Sequence, residues 1–356
     1  MTAQQTFGYA QSNNYQIFRE SFVHLVQGTN LYAQYPLTQF DLFKYSPTFA
    51  LLFAPFAILP YSVGLLLWNV TNALALTTAM TLLLTSRAAA WALGIVFLEA
   101  LGAIQNTQSN GLCAALMILS LVALEREHVA WGAAAVASGA AIKVYPLASG
   151  LLGLVSPKRW SHLLWCFVMG ALCMVLPLLV TSPTTLFEQY QSWIVLQRAD
   201  TTKIAMYWIG GVVERLAGAP VLHAPVQICG VLWTVLIAWH ARRQWSDAVL
   251  RRLLLASLLL FAVVFNHMSE SPTFVIAFAG IGIWWSVLPR ERWRDAIVLL
   301  ALLIGSVGGT DAVPKHVRLV WIVEPRLKAW VTIVAWCAVQ YDIFRKLRRI
   351  SPLPIA

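Results

Sequence analysis

Residues 41–60 read DLFKYSPTFALLFAPFAILP, in which charged residues directly precede a short apolar run. Asp41 and Lys44 stand just before an apolar run, 47–59, that is shorter than the roughly 20 residues a spanning helix needs. A second apolar run, 61–85, follows at once and is long enough to cross a bilayer. The short run is therefore predicted to be re-entrant or interfacial, and the junction to form one wall of an active site at the membrane face.

The composition is that of an all-α polytopic membrane protein. Hydrophobic residues make up 59% of the chain and charged residues 11%, whereas soluble domains carry about 25% charged residues. The apolar runs are continuous and lack the alternation typical of membrane β-barrels. The net charge of +10 is not gathered on a solvated domain. We therefore predict membrane lipids as partners and no nucleic acid.

Neither a metal site nor a disulfide framework is indicated. The five cysteines lie in apolar runs and form no CxxC pair, which is typical of small core residues. His267 and Glu270 are close in sequence, but two ligands are too few for a metal site. We therefore predict no metal and no other cofactor.

The apolar runs predict about nine spanning helices joined by loops. The candidate spans are 61–85, 88–105, 107–124, 160–181, 221–241, 250–266, 272–288, 294–309 and 327–343. Between the third and the fourth lies 129–156, which Lys143 and Pro146 break in the middle. A straight span here would bury Lys143 near the midplane, which is costly, so we predict a hairpin that returns to its own side.

The placement of lysine and arginine predicts the orientation. With the hairpin in place, most of these residues fall in short loops on one side, which the positive-inside rule assigns to the cytoplasm. Residues 1–46 then form an extracytoplasmic segment, in which 14–28 has the spacing of an amphipathic helix lying on the membrane. A single transmembrane domain, 47–343, contains an outer loop at 182–220, and a cytoplasmic basic tail, 344–356, follows it.

The unusual polar groups fall on the predicted outer side. They are Asp41, Glu99, the amide-rich stretch 105–110, Lys143, the loop 188–215 and the stretch 266–271. Polar groups at membrane depth usually line a cavity or a pathway. Lys143 stands at a helix break beside Tyr145 and Pro146, where a lone cation needs an anion, and a lipid phosphate is the natural one.

Several of these groups also have a purely structural interpretation. Asp41 can simply pair with Lys44, and Glu99 can be a hydrogen-bonded packing residue inside a span. The amides at 105–110 can satisfy free helix ends in a tight loop. The residues alone leave these alternatives open.

Six motifs in a fixed order carry a resemblance to a known family. They are NNYQIF (13–18), GTNLY (28–32), DLFKYSPTFALLFAP (41–55), QSN (108–110), AIKVYP (141–146) and NHMSESP (266–272). Together they resemble glycosyltransferase family 87, integral membrane enzymes of the GT-C class, over nearly the whole chain from Asn13. The similarity is to polyprenyl-phosphate-mannose-dependent mannosyltransferases and to arabinofuranosyltransferases of bacterial envelopes. A GT-C-like bundle with short re-entrant or interfacial helices is the fold that this resemblance implies.

The resemblance implies transfer of a mannose-like hexose or pentose from a polyprenyl-phosphate donor. The acceptor would be an envelope glycan or glycolipid at the outer face of the bacterial cytoplasmic membrane, with the C-terminus inside. Such a transfer needs a carboxylate for the acceptor proton and cationic or N–H donors for the departing phosphate. The predicted base is Asp41, with Glu99 and Glu270 in reserve, and the predicted phosphate partners are Lys143 and His267. The predicted substrate-binding residues are Asn14, Lys44, Tyr45, Gln108, Asn110, Tyr145 and Glu270. The donor's prenyl chain is expected beside the 129–156 hairpin.

The sequence departs from the family pattern in two places. The family normally begins with a helix before the first outer loop, and we expect that this first helix is missing here. The family's base commonly follows that helix, where this chain has Asn13 or Asn14, and neither amide takes a proton. The role of base therefore passes to Asp41.

Two other classes of function remain open. A transporter or a flippase for lipid-linked sugars also uses broken helices with an ion-binding residue, although no internal repeat relates the two halves of this chain. A non-catalytic scaffold gains weight if an asparagine has replaced the base. Sugar transfer that is lost in Asp41→Asn would favour the enzyme, whereas solute uptake without transfer would favour the transporter.

Overall fold

The computed structural model describes residues 12–39, 41–200 and 207–350, and every regular element in these ranges is helical. The prediction of an all-α protein is thus confirmed for the described residues. The α-helices in chain order are α1 (Asn13–Gln27), α2 (Pro47–Leu52), α3 (Ala54–Ala57), α4 (Tyr61–Leu83), α5 (Ser86–Gln105), α6 (Asn110–Glu125), α7 (Val129–Ile142), α8 (Gly150–Leu154), α9 (Arg159–Val175), α10 (Pro183–Asp200), α11 (Ile209–Ala217), α12 (His223–Ala241), α13 (Ala248–Val264), α14 (Phe274–Val287), α15 (Arg292–Leu300), α16 (Lys315–Arg318) and α17 (Leu327–Ile350). Parts of the predicted N-terminal segment and basic tail, at 1–11 and 351–356, lie outside the described residues.

Among the described residues, four helices are long and apolar enough to cross a membrane. They are Tyr61–Leu83, Ser86–Gln105, Arg159–Leu179 and His223–Gln244. Other predicted spans fold as shorter apolar helices, such as α6 and α14, or change into π-helix, as at Ala301–Val307. The prediction of about nine spans is therefore not confirmed, because apolar runs in the sequence do not all become helices of span length.

The junction at 41–60 folds into two short helices, α2 and α3. Ser46 caps the first of them, since its Oγ accepts a hydrogen bond from the Phe49 backbone N–H at 3.2 Å, and Pro47 occupies the first turn. The rings of Phe49 and Phe53 lie 5.0 and 5.4 Å from the ring of Phe18 in α1. This aromatic packing fixes the polar segment that precedes α2 against the helix bundle.

The segment 129–156 folds back on itself at Lys143. Helix α7 ends at Ile142, Lys143 is extended (φ −144°, ψ 146°), and a 3₁₀-helix, Tyr145–Ser149, leads into α8. An added Cβ at Gly139 would lie 2.7 Å from Pro146 Cβ, and one at Gly150 would lie 3.4 Å from Val136. The earlier residue of the first arm, Val136, contacts the later residue of the second arm, Gly150, so the second arm runs back antiparallel to the first.

The centre of the bundle is built on α13 and α14. Nearly every residue of α14 from Phe274 to Trp284 is buried, as is most of α13. Close approach depends on small residues, since a Cβ on Gly280 would lie 2.8 Å from the Ala256 carbonyl oxygen and one on Gly282 would lie 2.9 Å from the Ala92 carbonyl oxygen. The helices around the site therefore stand on a rigid core.

One end of the bundle is held together by ion pairs. We call this end the basic end, and the ion-paired residues given next define it. Its pairs are Glu125 with Arg251 and Arg252, Glu127 with Lys158, Asp247 with Lys346, Asp295 with Arg290, Glu291 with Arg345, and Asp342 with Arg294. All of these arginines and lysines belong to the loops and the tail that the sequence assigns to the cytoplasmic side.

The opposite end of the same helices carries the unusual polar groups. Helix α6 begins at Asn110 and ends at Glu125 of the basic end, and α7 runs from there back to Lys143. Helix α13 likewise runs from Asp247 of the basic end to the segment that begins at Asn266. We call this second end the site end.

Candidate active site

A cavity of about 510 Å³ opens at the site end of the bundle. It collects nearly all of the residues that the sequence proposes for a site. The predicted residues that line it are Asn14, Asp41, Lys44, Tyr45, Gln108, Lys143, Tyr145, His267 and Glu270. Because these residues come from five separate stretches of the chain, only the tertiary fold brings them together.

Asp41 lies at the mouth of the cavity with its side chain half exposed. One carboxylate oxygen accepts a hydrogen bond from the Leu42 backbone N–H at 2.8 Å, and the other lies 3.7 Å from Lys44 Nζ. The Lys44 carbonyl oxygen accepts hydrogen bonds from Trp193 Nε1 and Gln197 Nε2, both in α10. Helix α10 thus fixes the backbone that carries the acid, while the carboxylate itself remains accessible to water.

Lys143 is held by neutral groups. Its Nζ donates hydrogen bonds to Asn110 Oδ1 at 2.8 Å and to Gln108 Oε1 at 3.3 Å. The rings of Tyr45 and Tyr145 lie 5.5 and 5.9 Å from the same nitrogen, within the range of cation–π contacts. Within the described residues no carboxylate reaches ion-pair distance of Lys143. The ammonium therefore keeps its charge available for an anion in the cavity.

Asn110 and its neighbours form a fixed platform beneath Lys143. Asn110 is buried, and its Oδ1 also accepts a hydrogen bond from Tyr145 Oη at 2.7 Å. The turn before it is strained at Thr107 (φ 51°), whose carbonyl oxygen accepts from Trp68 Nε1 and whose Oγ1 accepts from the Tyr15 N–H. Asn110 does not line the cavity itself; it contributes through Lys143 and Tyr145.

Asn14 lines the cavity while it ties α1 to the amide-rich turn. Its Nδ2 donates a hydrogen bond to the Asn106 carbonyl oxygen at 2.8 Å. The helix that carries it begins at Asn13, close to the start predicted for the amphipathic helix. An amide at this position accepts no proton at neutral pH, and the carboxylates among the described residues that line the cavity are Asp41 and Glu270.

His267 and Glu270 line the cavity from the loop between α13 and α14. His267 Nδ1 is 2.9 Å from Gln227 Nε2 of α12, and its ring stacks on His223 with centroids 4.9 Å apart. Glu270 caps the following 3₁₀-turn, and its backbone N–H donates to Thr273 Oγ1 at 3.3 Å. Its side chain is exposed. This loop supplies an imidazole and a carboxylate to the cavity that Lys143 also lines.

Glu99 does not line the cavity. Its carboxylate is buried in α5, where Lys328 Nζ lies 2.8 Å from Oε2 and Ser306 Oγ donates to Oε1 at 2.9 Å. Lys328 also donates to Ser271 Oγ at 3.0 Å, next to Glu270. The geometry favours the packing interpretation of Glu99 over a reserve base, because this ion pair ties three helical segments together below the loop.

The sequence analysis missed several residues of the cavity, among them Trp193, Gln197 and Gln227. Trp193 and Gln197 lie on the outer loop, which the sequence singled out only as a whole, and Gln227 lies within a spanning helix. A lone amide in an apolar span is the signal that would have identified Gln227. Among the described residues, no group of three His, Cys, Asp or Glu side chains gathers at metal-binding distance.

The fold and the cavity define an integral membrane protein with a polar site at one end of a helical bundle. The sequence model of glycosyltransferase family 87 matches residues 43–266, which is more than half of the chain. The chain therefore belongs to glycosyltransferase family 87 and is a membrane enzyme that transfers sugar. Gln108 and Lys143 lie inside the matched range, while Asp41, His267 and Glu270 lie just outside it. A search of curated proteins finds no match.

Proposed function

We propose that this enzyme moves a mannose-like hexose or pentose from a polyprenyl-phosphate donor to an envelope glycan or glycolipid acceptor. The observation that supports this most directly is that Asp41 and Lys143 line one cavity. A carboxylate at the mouth and a cation deeper inside are the two groups that an inverting transfer from a lipid phosphate requires.

Asp41 acts as the base in this proposal. The acceptor hydroxyl enters from the water-filled mouth and attacks C1 of the sugar, and its proton passes to the Asp41 carboxylate. The bond from C1 to the phosphate oxygen breaks at the same time, and the lipid phosphate leaves with both bonding electrons. Glu270 is the reserve base, since it lines the same cavity, and Glu99 drops out because it is paired with Lys328 outside it.

Lys143 receives the charge that develops on the leaving phosphate. Its hydrogen-bond partners are neutral, and it lies in a partly buried place, where an electrostatic interaction with an anion is stronger than in bulk water. His267 lines the same cavity and assists it. Lys44, Tyr45, Gln108, Tyr145 and Asn14 would contact the sugars, with Asn110 behind them.

We infer that the site end faces outward and the basic end faces the cytoplasm. The basic end carries the clustered arginines and lysines of the short loops, which supports this orientation under the positive-inside rule. The protein would then lie in the bacterial cytoplasmic membrane with its C-terminus inside. The family commonly uses polyprenyl-phosphate donors at the outer face, in agreement with this orientation.

The proposal is tested by transfer in proteoliposomes. The purified chain is supplied with radiolabelled polyprenyl-phosphate mannose, polyprenyl-phosphate arabinose and a membrane glycolipid extract as acceptor. The parent protein should form labelled product, and Asp41→Asn should lower the rate by about 10²- to 10⁴-fold, which is typical of the loss of a positioned base.

Asp247→Asn is the matched control, because Asp247 is an acid of the basic end whose capping oxygen the amide can retain. It should transfer sugar at the parent rate. Transfer by Asp41→Asn at the parent rate would remove Asp41 from the role of base. No transfer by the parent protein from either donor would contradict the proposed donor class.

A further inference from the structure

A second cavity, of about 260 Å³, lies between α4, α5 and α6. Its walls are almost entirely apolar. The lining residues are Asn72, Ala73, Leu76, Thr77, Leu93, Val96, Phe97, Ala100, Leu101, Ala103, Ile104, Gln108 and Gly111. Asn72, the polar residue at its floor, is already satisfied, since its Oδ1 accepts from the Leu112 N–H and its Nδ2 donates to the Trp68 carbonyl oxygen.

The cavity is elongated along α5 and opens on the side of the bundle. Its residues on α5 extend from Leu93 to Ile104, which corresponds to about 16 Å at 1.5 Å per residue. Thr77 and Phe97 at its rim are exposed, and both belong to helices of span length. The opening therefore faces the hydrocarbon of the bilayer rather than water, and its shape fits a narrow chain.

Gln108 joins the two cavities. It lines the apolar cavity at its site end and also lines the polar cavity. There its Oε1 accepts hydrogen bonds from Lys143 Nζ at 3.3 Å and from Tyr45 Oη at 3.5 Å. A hydrocarbon chain in the apolar cavity would thus end within reach of Lys143, the group proposed to bind the phosphate.

We propose that the apolar cavity holds the first part of the hydrocarbon tail of the lipid phosphate whose headgroup binds at Lys143. The proposal deepens the proposed function and rests on it, since it names the donor's tail as the occupant. It places the tail on the α4–α5 side of Gln108 and not beside the 129–156 hairpin, where the sequence led us to expect it. The polar cavity is left free for the sugar and the acceptor.

The test measures binding separately from transfer. Affinities for undecaprenyl phosphate and for the short-chain citronellyl phosphate are measured on the detergent-solubilised full chain by native mass spectrometry. Ala100→Phe fills the cavity from α5 and Ala73→Phe fills it from α4. Both variants should bind undecaprenyl phosphate about tenfold more weakly, because several buried methylene groups of the tail lose their place. Both should bind citronellyl phosphate as the parent does, which also shows that they are folded.

Ala90→Phe is the matched control, because Ala90 lies on the same helix as Ala100 with its side chain exposed and away from the cavity. It should bind both lipids as the parent does. Unchanged affinity of both filled variants for undecaprenyl phosphate would overturn the proposal. So would a loss found only in Val231→Phe, on the apolar wall of the polar cavity, since the tail would then lie there.

Failure of the proposed function would give a different result. In that case the parent protein would bind undecaprenyl phosphate in a manner sensitive to Ala100→Phe and yet transfer no sugar from any polyprenyl-phosphate donor. If the tail in the cavity belonged to the acceptor instead, Ala100→Phe would raise the KM for the glycolipid and leave lipid-phosphate binding unchanged. That outcome also contradicts the assignment made above.

Discussion

The two ends of the helical bundle use the same kinds of charged residue in opposite ways. At the basic end acids meet arginines or lysines directly, as in the pairs of Asp342 with Arg294 at 2.6 Å and Asp247 with Lys346 at 2.9 Å. At the site end Lys143 is held by amide oxygens and tyrosine rings, and Glu270 faces an open cavity. Charge neutralised within the protein joins helices, whereas charge supported by neutral groups is available to a ligand.

This difference separates structural acids from candidate catalytic ones better than residue type or depth does. Glu99 is buried and lies near the site end, yet its partner Lys328 makes it a structural acid. Asp41 is half exposed, and its contact with Lys44 spans 3.7 Å between partly exposed side chains, where ion pairs contribute little. Whether a charge is free to meet a ligand, rather than how deeply it is buried, therefore distinguishes the catalytic candidates from the structural acids.

The largest effect is expected at the buried pair of the basic end. Asp342 accepts three hydrogen bonds, two from Arg294 and one from Trp284 Nε1, and both charged side chains are almost fully buried. Asp342→Ala should lower the free energy of unfolding by about 3–5 kcal/mol, because it removes the closer of the two carboxylates beside the buried arginine and leaves only Glu291, at 3.4 Å. Asp295→Ala, which breaks the exposed pair with Arg290, should cost about 1 kcal/mol or less. Denaturant unfolding in mixed micelles measures both losses of stability. Equal losses would contradict the view that the buried pair is the structural one.

A smaller effect, on activity, is expected at Lys143. Lys143→Met removes the charge from the cavity and should lower kcat/KM for the lipid-phosphate donor by about 10²-fold, as the loss of one transition-state donor commonly does. Lys158→Met is the control, since Lys158 is paired with Glu127 at the basic end. Steady-state transfer rates in proteoliposomes check this. An equal drop in kcat/KM for the acceptor and for the donor would count against the phosphate role.

A still smaller effect is expected where the structural pair touches the site loop. Ser271→Ala removes the hydrogen bond from Lys328 and frees the loop that carries His267 and Glu270. We expect about a fivefold rise in donor KM with little change in kcat, which is the scale of one hydrogen bond of about 1 kcal/mol. Lys328 is paired with the Glu99 carboxylate, and Ser306→Ala removes a hydrogen bond to the other oxygen of that carboxylate. It should leave the KM unchanged, and an equal rise in both variants would show a general loosening instead.

The smallest effect is a pH dependence at the basic end. Hydrogen bonds from the Trp293 indole and the Arg345 guanidinium lower the pKa of Glu291. Because its folded pKa lies below the unfolded one, its contribution to stability is present above the ordinary carboxyl range and is lost as the pH falls through the lowered value. Glu291→Gln should therefore flatten the acid side of a plot of Tm against pH. Arg345→Met should flatten it in the same direction, and a curve like the parent's would contradict the assignment.

The sequence predicted the local features well because each has a local signal. The break at Lys143 follows from a cation and Pro146 in an apolar run, and the short helices after Asp41 follow from the length of that run. The sequence predicted that Asp41, Lys143 and His267 lie at one end of the bundle because each loop was assigned to one side of the membrane. Those inferences need only the direction of the chain through the membrane.

Long-range partners could not be predicted in the same way. Glu99 and Lys328 are separated by 229 positions in the chain, and nothing in the local sequence of either predicts the other. The apolar cavity depends on how α4, α5 and α6 pack against one another, which hydropathy does not encode. The number of spans is not confirmed, because hydropathy records where a chain is apolar and not where its helix bends or ends.

The close contact at Gly139 has a consequence for how the enzyme keeps its cation in place. Among the described residues no carboxylate pairs with Lys143, so its depth depends on its amide partners and on two chain segments in close contact, with Gly139 directly against Pro146. A methyl group on that glycine would act as a wedge and tilt the arm whose end bears the ammonium. A glycine one helical turn before Lys143, with no charge and no polar side chain, thus governs where the charge lies.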